Sequence, residues 1–182
     1  MKMKKLYFMF LVLVLITVMV IPVGAAQAAS KQIPVNGQIT LAYVEGSWGN
    51  EKVVGARDPV IWEDTIVQAT FLFDVTYTGT IAGTATETVN ARWNSKQGEY
   101  PTFKFTSDGI QTFTGTVQGK AGTFTARVRH QGYLDGHTRV EETIMSGTGE
   151  LANLHGTLIF DVYAVDVYHH TGTYSGKLHF AP

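Results

Sequence analysis

Not one of the 182 residues is a cysteine. That absence excludes disulfides, thiolate metal sites and cysteine nucleophiles, so the fold must rest on core burial and a complete backbone hydrogen-bond ladder. Methionine almost disappears after the N-terminus, with Met145 alone beyond residue 30. No stretch in that region keeps an apolar period of 3.6 residues for three turns, which argues against helices. Long basic runs are missing too, and with them the electrostatic footprint of a nucleic-acid binder. There is no Gly-x-Ser-x-Gly elbow, and the glycine-rich Gly147-Thr-Gly-Glu-Leu151 lacks the Lys-Ser/Thr of a phosphate loop.

The N-terminus is the first informative presence. Lys2, Lys4 and Lys5 precede a charge-free apolar run from Leu6 to Val23, then Pro22 and Gly24, then Ala26-Gln27-Ala28. This is the three-part layout of a secretory signal, with cleavage expected after Ala28. An uncleaved anchor is the alternative, since the run nearly reaches the length of a membrane span. The sequence therefore divides into a signal peptide at 1–28, a flexible linker at 29–36 and one domain at 37–182. Losing the three lysines takes the formal charge from −1 to −4. The expected address is secreted or cell envelope, with no membrane insertion after cleavage. No pattern calls for a cofactor, and nothing specifies an oligomer interface.

Thr, Val, Ile, Phe, Tyr and Trp dominate the remainder, with glycine at short intervals, a composition suited to pleated, half-buried surfaces. Phe71, Phe73, Val75 and Tyr77 alternate with Leu72, Asp74 and Thr76. Phe124, Ala126, Val128 and His130 alternate with Thr123, Thr125, Arg127 and Arg129, and Tyr174, Leu178 and Phe180 with Thr173, Ser175, Lys177 and His179. One apolar and one polar face marks an antiparallel sheet around a core. Echoes of Thr-Gly-Thr-x-x-Gly at Thr78, Thr114 and Thr171 read as bends that curl the sheet. About eight strands are expected, near 37–45, 64–78, 81–93, 100–106, 110–117, 122–133, 138–148 and 154–180, the last splitting in two. The expected fold is all-β: a single antiparallel eight-stranded barrel. Residues 46–63 read as a lid or rim loop flanked by Trp48 and Trp62.

The segment Tyr133-Leu-Asp-Gly-His137 reads as a hairpin loop with Gly136 at positive φ. That register pairs Gln131 with Arg139 and Arg129 with Glu141, and sends His130 inward beside Val140 and Val128 beside Glu142.

Gly115-Thr-Val-Gln-Gly-Lys-Ala-Gly122, the strand to His130, Asp135-Gly136 and Ser146-Gly-Thr-Gly-Glu-Leu-Ala-Asn-Leu-His-Gly156 together resemble a bacterial domain family of unknown function. That family is grouped with the allene oxide cyclase-like barrels, which are lipocalin-shaped. Arg129 stands where the family more usually has Gln. The resemblance covers roughly residues 65–160. It implies the barrel and no activity, because no cyclase active site aligns onto this chain.

Polar residues on apolar faces single out the candidate site. Glu87 shares a face with Ala85, Val89, Ala91 and Trp93; His130 with Val128; Glu142 with Val140 and Ile144. Buried charges must pair, protonate or meet a ligand. Three readings stay open: a network that fixes the register, a cradle for a ligand's polar head, or proton transfer. Glu87, Trp93, His130 and Glu142 are the ligand-binding candidates, the ligand expected to be small and apolar. The alternatives are a barrel isomerase or cyclase and a structural domain with a filled interior. His169 and His170 point to opposite faces, so no metal site is expected there.

Overall fold

The computed structural model describes residues 31–56, 65–94 and 104–182. The expected signal peptide at 1–28 and Trp62 lie outside the described residues. Nine strands follow one another: β1 (Ile33–Tyr43), β2 (Gly49–Ala56), β3 (Thr65–Gly79), β4 (Ile81–Asn94), β5 (Phe105–Val117), β6 (Lys120–Gly132), β7 (His137–Gly149), β8 (Leu154–Ala164) and β9 (His169–Phe180). Every pairing is antiparallel, and the sheet runs β1-β9-β8-β7-β6-β5-β4-β3-β2, with β1 also paired to β3. That last pairing closes eight strands into a barrel, and β2 is a ninth strand outside the ring. Alternation decides which side chains enter it: on β4 and β5 buried and exposed residues follow one another almost without exception.

The structure corrects the strand boundaries in three places. The expected linker at 29–36 is strand from Ile33 onward, where Ile33 pairs with Leu178 and Val35 is buried. Pro34 and Asn36 resemble linker residues, but the apolar residues beside them belong to the core. The expected loop at 46–63 contains β2, which pairs with the N-terminal half of β3 through two register shifts. Its glycines look like loop, yet the free edge of a long β3 supplies a partner. Phe105–Val117 is one unbroken strand where two were expected at 100–106 and 110–117, since Gly109 stays in register with Val89 and Val128; residues 100–103 lie outside the described residues. The 133–137 hairpin has the expected register, with Arg129 opposite Glu141, His130 opposite Val140, and Gly136 at φ 78°. Arg129 makes its ion pair with Asp108, at 3.4 Å.

The two ends of the barrel differ. At one end Phe113 stacks on Phe124 at 4.5 Å and meets Tyr77 edge-on at 5.5 Å, with Phe160 and Tyr174 closing around Tyr77. Leu151, from the turn between β7 and β8, is fully buried with Leu154 and Leu178 and plugs that end. The paired glycines Gly83 and Gly115 have φ of 154° and 157°, and a Cβ on either would lie within 3 Å of the Phe113 ring. Glycine is thus what lets the sheet bend over that ring. The opposite end is hollow.

Candidate functional site

The hollow end is built from the C-terminal parts of β1, β4, β6 and β8 and the N-terminal parts of β3, β5, β7 and β9. It holds a cavity of about 790 Å³. Its apolar wall includes Leu41, Tyr43, Phe71, Phe73, Trp93 and Phe105, and Ser107, His130, Thr138 and His170 bring polar groups to it within the barrel. Strand periodicity explains the composition, because the inward positions Phe71 and Phe73 on β3 and Val89, Ala91 and Trp93 on β4 are apolar or aromatic. At the rim Trp48 lies flat on Phe71 at 5.6 Å and edge-on to Trp93 at the same distance. Trp48 is 47% exposed and donates its indole N–H to Glu51 at 2.9 Å, so it borders both cavity and solvent.

The candidate residues fall in two layers. Trp93 and His130 reach the cavity. Glu87 and Glu142 lie behind them, 2% and 1% exposed. His130 Nδ1 sits 2.8 Å from Ser107 Oγ, its direct cross-strand neighbour. On the other side of the ring, His130 Nε2 is 3.2 Å from Glu87 Oε1, a close approach out of line for a well-formed hydrogen bond. Gly109 makes room for this carboxyl, since a Cβ there would stand 2.9 Å from Glu87 Oε1. Glu142 has its own partners: its Oε2 accepts from the Tyr77 hydroxyl at 2.7 Å and from Gln111 Nε2 at 3.1 Å. Gln111 also donates to the Tyr77 oxygen at 2.6 Å, and Glu142 Oε1 has no hydrogen-bond partner.

Burial controls the charge state. Glu87 is pushed well above the ordinary carboxylate value by desolvation, then by the charge of Glu142. Glu142 is raised to about 7 by desolvation, against the pull of the Tyr77 and Gln111 hydrogen bonds. His130 is lowered to about 4 by desolvation, although Asp108 opposes this. A carboxylate 3.2 Å away would ordinarily raise an imidazole. Here desolvation outweighs that pull and pushes both groups towards their neutral forms. His170, facing Phe73 edge-on at 5.6 Å, is lowered to about 4 by burial.

Glu87, His130 and Glu142 thus face one interior, although Glu142 belongs to a separate hydrogen-bonded cluster. Ser107, Gln111 and Tyr77 complete these clusters, and His170 joins the cavity wall. Reading 105–117 as one alternating strand would have placed Ser107 and Gln111 on the face of Phe113 and Val117. His169 is exposed beside Asp166 at 3.0 Å while His170 is buried, the opposed pair that strand geometry requires. Among the described residues, no group of three or more His, Asp or Glu gathers as a metal site would require.

A family model described as "Protein of unknown function (DUF3224)" matches residues 50–176. Among solved structures, a DUF3224-family protein of unknown function from Shewanella oneidensis MR-1 has the same fold. Its TM-score is 0.60 at 17% identity, over 84% of this chain and 100% of that one. A pterocarpan synthase dirigent protein matches with a TM-score of 0.44 at 12% identity, over 83% of this chain and 92% of that one. No curated protein matches the sequence.

Proposed function

This chain belongs to the DUF3224 family, a family of unknown function, and we propose that it is an exported barrel that binds one small apolar molecule in its hollow end. The observation that carries this reading is the cavity of about 790 Å³. Ligand sites are concave spaces of roughly 300–1,000 Å³ with apolar walls and a few placed polar groups. A barrel built only for stability has no use for such a void, because empty space beside packed side chains forfeits contacts. The other half of the same interior is filled with aromatic rings, so the vacancy is local to one end.

The test uses N-phenylnaphthylamine, a neutral probe whose fluorescence rises in apolar surroundings. The wild-type protein is expected to bind it at one site in the micromolar range. Ala91, buried in the cavity wall, is the position at which to fill the space. Ala91→Trp is expected to weaken the probe at least tenfold while the far-ultraviolet circular dichroism stays that of the barrel. Equal binding by both proteins would refute the cavity as the site.

Export is supported by Lys2, Lys4, Lys5 and the apolar run ending at Ala26-Gln27-Ala28. Protein recovered from the envelope or medium of its own cell is expected to begin at Ala29 by intact mass. Recovery of a species that retains residues 1–28 would favour an anchor instead.

A further inference from the structure

The floor of the cavity also says what kind of molecule it takes. We propose that the cavity selects uncharged ligands carrying a hydrogen-bond acceptor such as a carbonyl or ether oxygen, which the Ser107 hydroxyl receives. This rests on the reading of the cavity as a binding site and adds the chemical class of the ligand.

The argument starts from charge. Within the barrel interior two carboxyl groups are buried, and among the described residues no lysine or arginine is buried with them. Among the described residues the cavity wall likewise contains no lysine or arginine, and its one acidic residue is Glu45 at the rim. A carboxylate ligand would enter an apolar space with no cation to meet it, at the desolvation cost of an unpaired charge. The site is therefore built against anions such as ionised fatty acids.

The hydrogen-bond chain then fixes the polarity of the floor. Glu87 Oε1 and His130 Nε2 approach to 3.2 Å out of line, and neither atom has a hydrogen-bond partner. A neutral imidazole carries one N–H, and on Nε2 that proton would be buried with no acceptor in line. The ring proton therefore belongs on Nδ1, the nitrogen that has a partner. Nδ1–H then donates to Ser107 Oγ across 2.8 Å. With its oxygen engaged as acceptor, Ser107 keeps its own O–H to give, and Ser107 lines the cavity. An apolar wall with one outward-facing donor at its base matches a neutral molecule with one acceptor atom. His130 is a positioning residue here, acting on the ligand only through Ser107.

Three probes of one shape separate the possibilities: ethylnaphthalene, acetylnaphthalene and naphthoate, titrated at neutral pH by quenching of tryptophan fluorescence. Acetylnaphthalene is expected to bind about three- to tenfold more tightly than ethylnaphthalene, the worth of one neutral hydrogen bond, and naphthoate more weakly than either. In Ser107→Ala the ratio of ketone to hydrocarbon affinity should fall to about one, and in Ser107→Thr it should persist. The infrared carbonyl stretch of bound acetylnaphthalene should lie lower in the wild-type protein than in Ser107→Ala. Naphthoate binding as tightly as the ketone, or a preference for the ketone that survives in Ser107→Ala, would overturn the selectivity while leaving the cavity intact as a site. If none of the three binds, the cavity reading falls and this inference with it.

Discussion

Phe113→Ala is expected to lower the free energy of unfolding by about 3–5 kcal/mol, the range for deleting a fully buried aromatic ring. The figure belongs at the upper part of that range for geometric reasons. Phe113 is 0% exposed, stacks on Phe124, and carries Tyr77 against its edge. Gly83 and Gly115 have bent over the ring and have no side chain with which to refill the gap. The backbone there belongs to paired strands on both sides, so collapse into the void would cost ladder hydrogen bonds. Urea unfolding followed by tryptophan fluorescence checks this. The midpoint should drop with the slope unchanged, since the surface exposed on unfolding hardly differs. A loss below about 1 kcal/mol would mean that the packed end does not carry the fold.

The second large effect is a dependence on pH that bends at neutrality. Melting temperature is expected to be nearly level between about pH 4.5 and 6.5 and to fall above it, by roughly 3–6 °C per pH unit. A carboxyl whose folded value is raised holds its proton in the folded chain after the unfolded chain has lost it. Stability is then present at low pH and is lost as pH rises from the unfolded value towards the folded one. Glu142 acts in this way between its ordinary 4.5 and about 7, and Glu87 from 4.5 upward. His130 and His170 work in the opposite direction, because both drop from 6.5 to about 4. Each contributes stability at neutral pH that disappears as pH falls from 6.5 towards 4. Between 4.5 and 6.5 two opposed pairs cancel. Above 6.5 the imidazoles are neutral in both states, and only the carboxyls still act. For Glu142 the whole shift amounts to roughly 3 kcal/mol. Glu87→Gln keeps the shape of the neutral acid without a proton to lose, so it should remove most of the decline above pH 7. A melting temperature that stays level above pH 7 in the wild-type protein would show that Glu87 is already ionised there.

The candidate site was partly legible in the sequence, and the boundary has a physical cause. Alternation with a period of two assigns a face to each residue, and it placed Glu87, Trp93, His130 and Glu142 inside. It carries no information about depth along the barrel. Tyr77 and Glu142 lie 65 positions apart and meet at 2.7 Å, which no local pattern could show. Ser107 and Gln111 were hidden because Ser107-Asp-Gly109 imitates a turn. In the barrel that glycine stays paired and serves to make space for Glu87. β2 was missed for the complementary reason, since what makes a strand of Gly49–Ala56 is the long edge of β3 rather than its own residues.

The ring is sealed by its two ends: Ile33–Ala42 of the first strand lies along His169–Leu178 of the last. Without cysteines no covalent link can hold a half-made ring. Pairings of such long sequence separation pay their loop entropy before they return any stability, which slows folding. Until the final dozen residues arrive, both β1 and β8 present bare edges on which another chain could lay a strand. A chain that crosses a membrane from its N-terminus onward would have to stay unfolded through that whole passage, and would become a barrel only once its tail had followed.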